Sequence, residues 1–180
     1  MMSKLFLKKN TRTPAYYIKN GDVKIIETDH LKTIEGKSRF LKSNTRILYH
    51  EESSLVSEML ILQRRTTWFP PKRSPCQTRT FIILSGTLCI AWFDSHAKNV
   101  IGVSVLNKEK GRPGVRISEN VYHIDFPLTS ESLHFETSNR VDSENGTINE
   151  FMPLNGSLSR QKIRATVLIL LKIKRRKSGW

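Results

Sequence analysis

The stretch that most constrains this chain runs from Arg65 to Gly86: Arg-Thr-Thr-Trp-Phe-Pro-Pro-Lys-Arg-Ser-Pro-Cys-Gln-Thr-Arg-Thr-Phe-Ile-Ile-Leu-Ser-Gly. Pro70, Pro71 and Pro75 each fix φ and remove a backbone donor, so this segment reads as a turn rather than as helix interior or central strand. Thr80 to Leu84 follows with β-branched and aromatic residues, the composition of a strand. With Thr87 to Phe93 behind it, the pattern predicts two strands paired around Ser85-Gly86 as a hairpin.

The remainder repeats the theme. Strands are predicted at Thr45–His50, Ser57–Gln63 (continued by Thr66–Phe69), Val100–Leu106, Val115–Ile117, Val121–Phe126 and Ser132–Thr137. Polar turns fall at Glu51–Ser54, Asp94–Asn99 and Asn107–Gly114. Short strands every ~8–12 residues point to a sandwich or barrel. One helix is expected, from Leu31 to about Phe40, capped by Thr28 or Asp29, with Leu31 and Ile34 on one face. Val23 to Ile26 is β-branched without clear alternation. The fold class is therefore all-β. The organisation expected is a lead with a short helix over residues 1–40, a barrel over 41–155 and a basic extension over 156–180.

The length of 180 residues suits one domain. The net charge of +14 looks like a nucleic-acid signal until it is located. Residues 1–20 hold five Lys/Arg and residues 160–180 hold eight, with no acid in either end. The 30 bases less those 13 leave 17 for the middle, against all 16 acids, a net of +1. The body is near neutral, and the ends are either solvated tails or weak, nonspecific contacts to polyanions or anionic lipid. No apolar run approaches the roughly 20 residues that span a bilayer, and the N-terminal apolar core is too short for a secretory signal. Cys76 and Cys89 form no framework and no C-x-x-C pair, so a reduced cytoplasm is the expected setting. A Gly-rich phosphate loop, a G-x-S-x-G elbow and zinc-type Cys/His spacing are all missing from the sequence. The barrel interior is left as the place to look for a site.

Thr45 to about Asn155 resembles the WbuC-type cupin-fold metalloproteins found among bacterial genes for surface-polysaccharide assembly. The resemblance rests on Ser57-Glu58-Met59-Leu60-Ile61-Leu62, on Arg65–Gly86 with Pro71 and Phe81, and on Phe93-Asp94. It continues in Gly111-Arg112-Pro113 with Ile117-Ser118-Glu119-Asn120-Val121-Tyr122-His123, then Phe135–Asn139 and Glu150-Phe151. It implies a double-stranded β-helix barrel with a metal held by two histidines in the proline turn, an acid just before the next strand and a later histidine. Here those positions hold Lys72, Ser74 and Arg79, and only His123 remains. Residues 59 to 93 contain no His, Asp or Glu. Neutral imidazole and carboxylate offer lone pairs to a cation, whereas lysine and arginine repel one. The expectation is no metal and no other cofactor.

If Lys72, Arg79 and His123 converge, the pocket is electropositive. The cations then either replace the ion, bind an anionic sugar or nucleotide-sugar, or swing out to solvent at the rim of a vestigial pocket. Ligand-binding candidates are Lys72, Ser74, Arg79, Tyr122 and His123. His123 with Glu136 is the candidate catalytic pair for a sugar-modifying enzyme, although a lone strand histidine is more often a hydrogen-bonded core residue. Trp68 and Phe69 suit sugar stacking or plain packing. His50, His96 and His134 read as strand-end or turn residues without ligand spacing, and nothing near Cys76 marks it as a nucleophile. Thr166–Leu171 is apolar after its threonine and is followed by Lys172, Lys174, Arg175, Arg176 and Lys177. It reads as a buried strand or a helix core that packs on the barrel or on a second subunit, or as an interfacial anchor. The function expected is a metal-free binding or accessory protein of polysaccharide assembly, cytoplasmic or peripheral to the inner membrane. The competing classes are the sugar-modifying enzyme and a nucleic-acid or anionic-surface binder working through its ends.

Overall fold

The computed structural model describes residues 5–8, 14–18, 24, 26–41, 43–51, 53–139, 150–151 and 160–178. The strands are β1 (Leu5–Lys8), β2 (Ala15–Ile18), β3 (Thr45–Leu48), β4 (Val56–Arg64), β5 (Lys72–Arg73), β6 (Arg79–Phe93), β7 (Val100–Leu106), β8 (Gly114–Ile117), β9 (His123–Asn139) and β10 (Glu150–Phe151). The helices are α1 (Thr28–Leu41) and α2 (Arg160–Ser178). None of the described helices is long and apolar enough to cross a membrane.

Two long strands organise the sheet. β6 and β9 run antiparallel from Arg79 opposite Ser138 to Trp92 opposite His123. The C-terminal half of β9 also pairs with β4, which continues through β3 to β2 and β1. Its N-terminal end pairs with β5, which carries β10. β6 in turn holds β8 along its first residues and β7 along its last. The long strands thus pass from one half of the sheet to the other.

The crossing point corrects the hairpin expected at Ser85-Gly86. Thr80–Leu84 and Thr87–Phe93 are two halves of one strand, and the β6–β9 register slips between Ile83 and Ser85 and again between Gly86 and Leu88. Gly86 has φ of +75°, and a Cβ there would lie 2.5 Å from the Glu131 carbonyl oxygen. Glycine serves here to bulge and bend a strand, not to reverse it. His123–Phe126 and Ser132–Thr137 likewise belong to a single strand, β9, while Val121 and Tyr122 precede it. Thr66–Phe69 does not extend β4; the Thr67 N–H donates to the Arg64 carbonyl at 3.1 Å in a turn. Of Val23–Ile26, residues 23 and 25 lie outside the described residues.

Strand alternation sorts the side chains into three cores. Outward-facing Leu60 and Leu62 of β4 and Leu133 of β9 pack with Ile18, Ile47 and Tyr49 beneath Ile34 of α1. Outward-facing Cys89, Ala91 and Phe93 of β6 pack with Ile124, Phe126 and Val103 beneath Ile163 and Val167 of α2. Between these layers, Phe81, Ile83, Leu88, Ile90, Leu106 and Ile117 fill one end of the interior. The unbroken apolar run of β6 follows from this double burial.

The apolar block of the C-terminal segment is helical. Ile163 and Val167 are fully buried, Leu170 and Leu171 partly so, and Leu168 and Ile169 are 48% and 57% exposed. Burying each of the two inner residues stabilises the docked helix by roughly 1.5–3 kcal/mol. Arg164 adds a lock. Its Nη2 donates to the Arg65 carbonyl at 2.9 Å, and its guanidinium lies 5.4 Å from the Phe126 ring centroid.

Candidate functional site

The other end of the barrel interior is a polar cavity of about 450 Å3. β4 turns Ser57, Met59, Ile61 and Gln63 toward it while Leu60 and Leu62 face α1. β9 contributes His134, Glu136 and Ser138 from one half, and His123 and Asp125 from the other. Arg46 enters from β3, Lys72 from β5 and Arg79 from the start of β6. Phe81 separates this space from the apolar end; its ring centroid lies 6.4 Å from His123 and 5.9 Å from His134.

Lys72, Arg79 and His123 therefore share one cavity, with Glu136 on its wall. Arg79 does not swing to the rim. It is buried, with Nη1 donating to Glu136 Oε1 at 2.5 Å and Nη2 donating to Ser74 Oγ and to Gln77 Oε1, each at 3.3 Å. The proline turn that carries Ser74 and Gln77 is closed by Asn139: Oδ1 accepts from the Thr78 N–H at 2.7 Å, and Nδ2 donates to the Cys76 carbonyl at 3.1 Å. Burial pushes the Glu136 carboxyl up, but Arg79, Lys72 and His134 together hold it below the usual range. Of the routes open to these cations, Arg79 takes the internal one: its guanidinium balances a buried carboxylate.

Lys72 sits differently. Its backbone pairs with His123 on one side and Phe151 on the other. Burial first, and then the Arg79 charge, lower its pKa. His123 is buried, and its Nδ1 lies 2.9 Å from the Val121 carbonyl. A carbonyl only accepts, so Nδ1 carries the proton and Nε2 presents its lone pair. Burial lowers the pKa of His123, and of His134 behind it.

Ser74 is buried as a partner of Arg79 rather than as part of the cavity wall. Tyr122 faces elsewhere, packing on the core beneath α2 and lying 4.7 Å from the Arg73 guanidinium, which is itself paired with Glu150. His134 is not at a strand end but in mid-β9, with 1% exposure. Reasoning on sequence missed Arg46, Gln63 and Asp125. The available signal was polar residues at every second position of otherwise apolar strands, Gln63 after Met59 and Ile61, and Glu136 after His134.

Four buried polar atoms on these walls have no hydrogen-bond partner among the described residues: Arg46 Nε, Gln63 Oε1, His123 Nε2 and His134 Nδ1. The donor set does not fit a divalent ion. Among the described residues no three His, Cys, Asp or Glu side chains gather as a metal-holding group. Three cations, Arg46, Lys72 and Arg79, line the space against two carboxylates, Asp125 and Glu136.

No family model and no curated protein matches this chain. Solved structures do. The capsular polysaccharide assembling protein CapF from Staphylococcus aureus superposes with a TM-score of 0.54 at 10% identity, over 84% of this chain and 35% of CapF. A structural-genomics protein from Shewanella oneidensis superposes with a TM-score of 0.52 at 13% identity, over 80% of this chain and 96% of that one. The fold is an all-β cupin. This chain thus spans about a third of the length of CapF.

Proposed function

We propose that this cupin is of the WbuC type and binds an anionic sugar without a metal, as a binding or accessory protein in bacterial surface-polysaccharide assembly. The observation that carries the reading is the set of unpartnered polar atoms on the cavity wall. Each buried orphan group costs about 1–3 kcal/mol relative to one that is bonded. A carboxylated, polyhydroxylated ligand offers a partner to each. The arginine fork of Arg46 suits the carboxylate, while Gln63 Oε1 and His123 Nε2 accept from hydroxyls. A volume near 450 Å3 lies within the ~300–1,000 Å3 of ordinary small-molecule sites. The fold shared with a capsular polysaccharide assembling protein supports the pathway. Cytoplasmic placement, with the basic ends touching polyanions or an anionic membrane face, belongs to the same proposal.

The anion-binding role moves to Arg46, because Arg79 already has Glu136. Thermal unfolding tests this. Galacturonate and a nucleotide-linked uronic acid should raise the midpoint, by the equivalent of about 2.7 kcal/mol at a hundredfold excess over Kd, whereas galactose should not. Arg46→Met should remove the shift. A shift as large with galactose would show that no anion is recognised, and a galacturonate shift that survives Arg46→Met would show that Arg46 does not hold it.

A further inference from the structure

We infer that the Lys72 amine forms a reversible imine with the open-chain carbonyl group of a carboxylated sugar held in this cavity. The inference rests on the cavity being a ligand site, and it names the chemistry of the ligand end that faces β5.

The geometry isolates this amine. β5 is only two residues long, yet Lys72 is held in register by β9 and β10 on either side. Among the described residues its amine forms no hydrogen bond or ion pair. The charged groups around it are Arg46 from β3, Arg79 from β6, and Asp125 and Glu136 from β9. Glu136, the carboxylate that would ordinarily quench a half-buried lysine, is bonded to Arg79. A lysine that is desolvated and set beside other cations loses its proton more readily, and the neutral amine is the nucleophile. Burial and the Arg79 charge act on Lys72 in that direction. The lysines on the outer surface have no such surroundings: Lys98, Lys108 and Lys110 are exposed.

His123 supplies the companion group. Its main chain is opposite that of Lys72, and the Val121 carbonyl holds its Nε2 as an acceptor. The step balances without any redox partner. The Lys72 Nζ lone pair forms a bond to the carbonyl carbon, and the C=O π pair moves onto oxygen. His123 Nε2 takes a proton from the resulting ammonium and delivers it to that oxygen, giving the carbinolamine. The second N–H proton leaves as the C=N bond forms, the hydroxyl takes up a proton, and one water departs. Arg46, which enters the same cavity from β3, holds the carboxylate, so the ligand class is an oxo acid such as a uronic acid in its aldehyde form.

The test maps modification sites on the full chain. Protein is incubated with galacturonate and cyanoborohydride, and peptides are analysed by mass. Lys72 should carry the reduced adduct at least tenfold faster than Lys98, Lys108 and Lys110. Lys72→Arg should abolish that site while leaving the surface sites unchanged. Arg46→Met should slow labelling by galacturonate but not by uncharged glyceraldehyde. Labelling of Lys72 no faster than of Lys98, or labelling indifferent to the carboxylate, overturns the inference. Galactonate, which has the carboxylate but no carbonyl, separates the two readings. If it stabilises the protein while galacturonate leaves no adduct on Lys72, the imine falls and the ligand site stands. If neither sugar acid stabilises and no adduct forms, both fall.

Discussion

The two ends of the barrel interior are built by the same two strands and behave as opposites. At one end, β6 and its neighbours place Phe81, Ile83, Leu88, Ile90, Leu106 and Ile117 against each other with almost no exposure. At the other, the beginning of β6 and both halves of β9 place Arg79, His123, His134 and Glu136 around open space. Only about two residues along β6 separate a buried ion pair from a buried phenyl ring. The apolar end needs nothing beyond close packing, and with the two helix-covered faces it supplies the driving force for the fold. The polar end opposes folding unless each group finds a partner. Left as they stand, Arg46 Nε, Gln63 Oε1, His123 Nε2 and His134 Nδ1 are a cost that the packed end must offset.

That contrast can be broken experimentally. The largest effect is expected at the wall between the ends. Phe81→Ala removes a fully buried ring and should lower unfolding free energy by about 3–5 kcal/mol, read from urea midpoints. A loss near zero would mean that the wall does not seal the two ends from each other.

The second prediction concerns the ion pair. Glu136→Leu leaves the Arg79 charge buried without its carboxylate and should cost about 3–5 kcal/mol, whereas the double change Arg79→Met with Glu136→Leu should return to within about 1 kcal/mol of the parent or exceed it. An equally destabilised double variant would show that Arg79 stabilises the proline turn through Ser74 and Gln77 rather than by balancing Glu136.

The smallest effect is a pH slope. Burial lowers the folded pKa of His123 and His134 below the ordinary histidine value. Below about pH 6.5 the unfolded chain then binds more protons than the folded one, so stability is full above that value and falls as pH drops toward the folded pKa, by at most about 1.4 kcal/mol per pH unit for each group. Glu136, also held low, extends the loss into more acid conditions with the same sign. His134→Gln should flatten the slope. The apolar end holds no titratable group, so Leu88→Ala should lower stability without changing the slope. A slope unaltered by His134→Gln would place the titration elsewhere.

The sequence carried much of this, though unevenly. Spaced β-branched runs and proline and glycine punctuation were enough for an all-β barrel, because a strand buried on one or both faces must show its period locally. Arg65–Gly86 and the segment around His123, singled out by the resemblance, supply Lys72, Arg79 and His123 to one cavity with Glu136. The strand connections were misjudged at Ser85-Gly86, because a bulge and a hairpin use the same glycine and differ only in which strands are opposite. Arg46, Gln63 and Asp125 escaped notice because each is an isolated polar residue in an apolar strand. Whether such a residue faces solvent or a cavity depends on the far side of the barrel. Tyr122 was drawn in by its neighbour His123, yet it precedes β9 and packs on the core beneath α2.

By itself, then, the sequence determined the class of fold, the absence of His, Asp and Glu from residues 59 to 93, and the placement of the net charge at the two ends. Those are properties of residue type and local period. Only the tertiary structure decided that Arg79 turns inward to Glu136, that Lys72 makes no ion pair among the described residues, and that Arg46 joins them from β3. These outcomes depend on contacts between residues as far apart as 57 positions in the chain, and local sequence carries no record of which distant side chain will be there to meet them.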